Sequence, residues 1–145
     1  MKLYTIGFTK KSAEKFFSML NDAGVQRVVD IRLNNTSQLA GFAKKEDLVY
    51  FLKKIGDIDY THRPELAPTQ DIMDAFKKIK GSWEIYEMLF RALLTQRAVE
   101  DTIPRKMLDG ACLLCSEEKP QECHRRLVAE YFREKWPEIE IVHLV

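Results

Sequence analysis

Cys123-His124-Arg125 puts a thiol, an imidazole and a guanidinium in three consecutive positions. The triplet follows the loop-like run Glu117-Glu118-Lys119-Pro120 and opens an apolar-periodic segment, so it should begin a helix. A helix start offers free N–H groups and the positive end of the helix dipole. With Arg125, Cys123 and a protonated His124, that end would form an anion site. The competing assignment makes Arg125 and Arg126 surface residues paired with Glu118 or Glu122, and helix position alone favours it.

Cys115 closes the short apolar run Ala111-Cys112-Leu113-Leu114-Cys115. A thiol between a strand end and a helix start can have a lowered pKa and act as a nucleophile. A cysteine-phosphatase loop would need Arg six positions later, and Gln121 stands there. Base rates favour a small buried core residue instead. Cys112, Cys115, Cys123 and His124 also raise the question of zinc. Strand alternation turns Cys112 and Cys115 to opposite faces, and adjacent Cys123 and His124 should diverge at a helix start. No metal is therefore expected, and no cofactor can be named. Asp30 and Arg32 lie two apart and share a face, as a salt bridge or as a carboxylate aiming an arginine at a ligand. Asp30 or Glu117 could serve as a general base. His62 and Arg63 precede Pro64, which keeps Arg63 extended. His143 fits a core or edge position better than a catalytic one.

Elements that position these groups alternate along the chain. Strand candidates are Leu3–Ile6 (ended by Gly7), Arg27–Ile31, Asp59–His62, Ala111–Cys115 and Ile139–Val145. Helical patterns run from Ser12 to the stop at Gly24, from Glu46 to Ile55, from Thr69 through Lys80, from Trp83 to Arg97, and from Cys123 to Trp136. Asn34 to Gly41 reads as a loop, and Val99 to Leu108 is mixed, with Pro104 inside it. Such alternation implies βαβ units and a mostly parallel sheet. The expected fold is α/β, a single three-layer α/β/α domain over residues 1–145 with about five strands. Strand order is not legible. In an open α/β sheet, ligands bind beyond the carboxyl ends of the strands. That rule gathers Thr9, Asp30, Arg32, Arg63, Cys115, Glu117, His124 and Arg125. Trp83 and Tyr86 could line a core, cover the cleft or make a dimer interface.

With 145 residues, 46% of them hydrophobic and 31% charged, the chain suits one globular domain with a real core. Lys plus Arg number 23 and Asp plus Glu 22, so bulk charge points neither toward nor away from nucleic acid. Three cysteines within the last third make a poor disulfide framework and fit reduced thiols in a cytoplasmic protein. The N-terminal apolar run is too short for a signal peptide, and no stretch approaches the roughly 20 apolar residues that span a bilayer.

Thr5-Ile6-Gly7, Val29-Asp30-Ile31-Arg32, Leu113-Leu114-Cys115-Ser116-Glu117 and Cys123-His124-Arg125 together resemble the domain of unknown function 488 family. Ser37-Gln38-Leu39-Ala40-Gly41-Phe42 and Arg63-Pro64-Glu65-Leu66-Ala67-Pro68 resemble one branch of it. The resemblance covers nearly the whole chain and implies a compact three-layer α/β domain without an established reaction. Family members often carry His where this chain has Phe8, so no role of that His carries over. The resemblance implies that the strand-end residues form one site, and it reverses the surface assignment of Arg125.

Three functions compete. The first is an enzyme-like domain, hydrolase-like in character, acting on an anionic nucleotide, phosphoester or nucleic-acid end. Arg32 and Arg125 would bind the anion, Glu117 or Asp30 would move a proton, and His124 would donate one. The second is a non-enzymatic nucleotide or nucleic-acid binding module, with Lys77-Lys78-Lys80, Arg91 to Arg97 and Arg105-Lys106 adding basic surface. The third is thiol redox or zinc chemistry on the cysteines.

Overall fold

A computed structural model describes residues 1–36 and 41–145. The segment Ser37 to Ala40, the first four residues of one branch-like stretch, lies outside the described residues. Among the described residues five strands form one all-parallel sheet: β1 (Lys2–Gly7), β2 (Arg27–Asp30), β3 (Asp59–His62), β4 (Ala111–Cys115) and β5 (Glu140–Leu144), in the order β3-β2-β4-β1-β5. Seven α-helices accompany them among the described residues: α1 (Ala13–Ala23), α2 (Lys45–Gly56), α3 (Gln70–Lys77), α4 (Trp83–Arg97), the single turns α5 (Val99–Thr102) and α6 (Arg105–Leu108), and α7 (His124–Lys135).

Local chemistry sets the helix limits. Ser12 Oγ accepts from the Lys15 N–H, and Thr69 Oγ1 accepts from the Ile72 N–H, so both are N-caps. Gly24 ends α1 with φ +74°, a conformation that glycine adopts without strain. The third helix stops at Lys77 rather than Lys80. Lys80 takes φ +53° and the Gly81 N–H turns back onto the Ala75 carbonyl, which leaves Ile79 77% exposed instead of on the apolar stripe. The mixed segment around Pro104 becomes α5 and α6, because proline lacks the N–H that would continue a helix.

Side chains of each strand alternate between two cores. Tyr4, Ile6, Val28, Cys112 and Leu114 meet Phe16, Phe17, Leu20, Leu48 and Leu52 from α1 and α2. Leu3, Val29, Ala111 and Leu113 meet Phe90, Leu94, Leu127, Val128 and Phe132 from α4 and α7. Chain leaving β1 and β2 thus covers one face, and chain leaving β3 and β4 covers the other. Around β4 the connections diverge to opposite faces, which opens a crevice at the carboxyl ends of the strands.

Candidate functional site

A cleft of about 280 Å³ occupies that crevice. Leu113 faces the α7 core, so two residues on Cys115 does too, while Cys112 lies on the α1–α2 face. Alternation therefore separates these two thiols, as expected. Cys123 is the N-cap of α7 and His124 its first residue. Contrary to the expected divergence, both turn toward Cys115. Cys123 Sγ lies 2.7 Å from Cys115 Sγ, and His124 Nδ1 lies 3.3 Å from it. The N-cap's extended backbone, φ −136° and ψ 140°, lets the two adjacent side chains converge.

His124 Nε2 donates to the Ile31 carbonyl at 2.7 Å. That bond fixes the tautomer and leaves Nδ1 to face the sulfur. Neutral, Nδ1 accepts the thiol proton; protonated, it donates to a thiolate. Burial works to push the Cys115 thiol up and is outweighed. A hydrogen bond from Cys123, the positive charge of Arg125 and the N–H groups of Ser116 and Glu117 hold it below the ordinary thiol value. Burial and then the neighbouring Cys115 push Cys123 well up. Burial pushes Cys112 up as well. Cys115, Cys123 and His124 bring three metal-ligating atoms within 4.8 Å of one another, the one such group of three or more among the described residues.

The opposite wall is aromatic. Phe76 of α3 and Trp83 and Tyr86 of α4 line the cleft. Trp83 and Tyr86 stack at 4.6 Å between centroids, and Phe76 meets Trp83 at 5.4 Å. Burial first, and then the nearby sulfurs, push the Tyr86 phenol up, so it stays neutral. Sequence reasoning left Trp83 and Tyr86 unassigned. The signal was there in a Trp-x-x-Tyr spacing that stacks both rings on one helix face.

Arg32 enters the cleft from the end of β2. Its Nε and Nη2 donate to Asp30 Oδ1 and Oδ2, both at 2.8 Å, while Nη1 is buried with no partner among the described residues. Its guanidinium also lies 5.5 Å from the centre of the Phe8 ring. Asp30 is wholly buried and further accepts from the Arg32 N–H and the Tyr60 hydroxyl. Asp30 is thereby a positioning group for Arg32, engaged on both oxygens. Glu117 lines the cleft with its carboxylate 2.8 Å from Lys77 Nζ.

Three anticipated residues lie elsewhere. Arg125 has no solvent exposure. Its Nη1 and Nη2 donate to the Glu117 and Glu118 carbonyls at 2.5 and 3.2 Å, and its Nε donates to Thr5 Oγ1 at 3.3 Å. It holds the loop between β4 and α7 from behind, and neither surface ion pairing nor cleft contact describes it. Thr9 is exposed, and its N–H donates to the Ser116 carbonyl at 3.1 Å. Arg63 donates its N–H to the Asp30 carbonyl and sits 3.6 Å from Glu65. Several cations of the basic stretches form ion pairs, Lys77 with Glu117, Lys78 with Asp74, Arg91 with Glu130 and Glu134, and Arg105 with Glu138, while Arg97 donates to the Glu65 and Ala67 carbonyls. No helix among the described residues is long and apolar enough to cross a membrane.

The family model described as "Domain of unknown function DUF488" matches residues 12–132, so the chain belongs to that family. No curated protein and no solved structure matches it.

Proposed function

We propose that this family member binds a small, planar, negatively charged ligand of nucleotide type at the carboxyl ends of β2 and β4. The ligand's reactive atom is brought to the sulfur–imidazole cluster of Cys115, Cys123 and His124. One observation carries the reading: a single cleft joins a buried arginine, that cluster and a stacked aromatic wall. A flat ring lies against Trp83, as aromatic faces accept stacked partners. The anionic end lies beside Arg32, whose Nη1 gains an acceptor, and beside Lys77 once Glu117 gives way. His124 Nδ1 and the Glu117 carboxylate are the groups on the wall placed to exchange a proton with the ligand. A volume near 280 Å³ suits a small molecule, at the low end of ligand pockets of roughly 300–1,000 Å³. The nucleic-acid reading is the weaker one, because Arg91 and Arg105 of its basic stretches are engaged by carboxylates and neither lines the cleft with its stacked aromatic wall.

The test is thermal shift against inorganic phosphate, sugar phosphates, nucleoside monophosphates and short oligonucleotides. The native chain is compared with Trp83→Ala and Lys77→Ala. A ligand at a hundred times its Kd adds roughly 2.7 kcal/mol, enough to raise Tm by several degrees. The expected result is a shift with nucleoside monophosphates that both substitutions reduce. No shift with any compound, or a shift untouched by both substitutions, overturns the reading. A response confined to oligonucleotides and steep in salt would favour nucleic acid instead.

A further inference from the structure

We propose that Cys115, Cys123 and His124 bind one divalent transition-metal ion of the zinc class, leaving a fourth position open to the cleft. Sequence spacing argues against this, since Cys123 and His124 are adjacent. The fold removes the objection by placing both at the turn into α7, over the end of β4. Two thiol sulfurs and one imidazole nitrogen are the donors that such ions prefer. The nitrogen is already presented correctly: Nε2 is committed to the Ile31 carbonyl, so Nδ1 faces Cys115. Metal-binding histidines almost always show such an outer hydrogen bond. Cys115 has its own outer partners in the Ser116 and Glu117 N–H groups.

Charge fits as well. Two thiolates and a divalent ion sum to zero, so loading adds no net charge to an interior that already holds Arg125 and Arg32. Size requires adjustment within a cluster whose ligand atoms lie within 4.8 Å of one another. Bonds of about 2.3 Å in a tetrahedral site set two sulfurs roughly 3.7 Å apart. The Cys115 and Cys123 sulfurs, now 2.7 Å apart, would spread by about 1 Å. Cys115 and His124 Nδ1, at 3.3 Å, need almost none.

Three protein ligands form a set typical of catalytic rather than closed structural sites. Cys115, Cys123 and His124 all line the cleft, so the open position faces the ligand space. There an oxygen of the anionic ligand, or a water, would complete the coordination. That last step rests on the proposed ligand; binding of the ion does not.

The test uses the full chain, reduced, stripped with chelator and titrated with cobalt(II) alone. The expected result is one ion per chain, with thiolate-to-metal charge-transfer absorption and the intense visible bands of a tetrahedral centre. Cys123→Ser and His124→Gln should weaken binding by about a hundredfold or more, on the scale set by loss of even outer-shell partners. Cys112→Ser, on the other face of the sheet, should leave stoichiometry and spectrum unchanged. Should a variant fail to fold, protection of the native chain replaces it: equimolar zinc should slow alkylation of Cys115 and Cys123 at least tenfold. Uptake well below one ion per chain, a cobalt spectrum without thiolate absorption, binding unaffected by Cys123→Ser, or absence of zinc protection overturns the proposal. So does a Cys115–Cys123 disulfide in the chain kept under reductant. The titration contains no organic ligand, so its failure is separate from failure of the thermal-shift panel.

Discussion

Arg125 is the largest side chain with no solvent contact, and its three donors hold two loop carbonyls and a strand hydroxyl. Replacing it leaves the two part-buried loop carbonyls without that donor, at about 1–3 kcal/mol each, while Thr5 Oγ1 keeps His143. Arg125→Leu should therefore lower stability by at least about 2 kcal/mol in urea unfolding; a loss under about 1 kcal/mol would show that the loop is anchored otherwise. For the same reason this arginine makes a poor probe of ligand binding, although the Cys-His-Arg triplet made it the natural choice from sequence. Phe8 offers a gentler test. Its ring lies under the Arg32 guanidinium, a contact worth about 0.5–2 kcal/mol. Phe8→His should cost about 1–3 kcal/mol through lost packing and ring face. The cost should be larger at pH 6 than at pH 8, since a protonated imidazole would oppose Arg32. Equal unfolding curves at both pH values would contradict that placement.

At the scale of elements, the end of β1 and the loop from β4 to α7 are fitted to each other through Gly7. A Cβ there would overlap the Glu117 carbonyl and crowd the Arg125 guanidinium. Gly7→Ala should push that loop outward, disturb Cys115 and His124, and cost about 2 kcal/mol or more, as backbone clashes in packed sites do. A thermal-shift response to ligand that survives Gly7→Ala intact would show that the loop does not set the site. The strands and long helices were legible because their signals are local: caps at Ser12 and Thr69, the stop at Gly24, and the apolar run 111–115. The end of α3 was not, because the apolar stripe continues to Ile79 while the backbone turns away after Lys77. The strand-end rule gathers Cys115, Glu117, His124 and Arg32, the Cys-His-Arg triplet adds Cys123, and all five line the cleft. The Asp30–Arg32 pairing was legible in the two-residue spacing, whereas the Tyr60 bond to Asp30 and the role of Arg125 were hidden, since pairing to a distant hydroxyl or to loop carbonyls depends on the fold and not on spacing.

For the molecule as a whole, the two faces of the sheet divide the work. The α1–α2 face holds the Asp30–Arg32–Tyr60 network at its carboxyl end, and the α4–α7 face holds Thr5, Arg125 and the cysteine–histidine cluster. One consequence is a pH dependence. Thr5 Oγ1 lies 2.7 Å from His143 Nδ1 in the β1–β5 pair. Burial first, and then the charge of Arg125, lower the His143 pKa; Arg126 and Arg133 act the same way, and Glu130 opposes them. The unfolded chain therefore binds this proton more readily than the folded one. His143 stabilises fully above its ordinary value near 6.5, and that contribution is lost as pH falls below it. Tm should drop between pH 7.5 and pH 5, and His143→Gln should flatten the drop. A slope unchanged by the substitution would assign it to other groups.

The most direct measurement follows Trp83 itself. The chain has two tryptophans, Trp83 on the cleft wall and Trp136 stacked on Phe132 away from it. In Trp136→Phe protein, fluorescence reports from the cleft alone. Titration with nucleoside monophosphates, with and without one equivalent of zinc, should give a saturable change that Lys77→Ala weakens. A flat signal across the whole titration, in folded and reduced protein, would contradict the assignment of this cleft as the functional site.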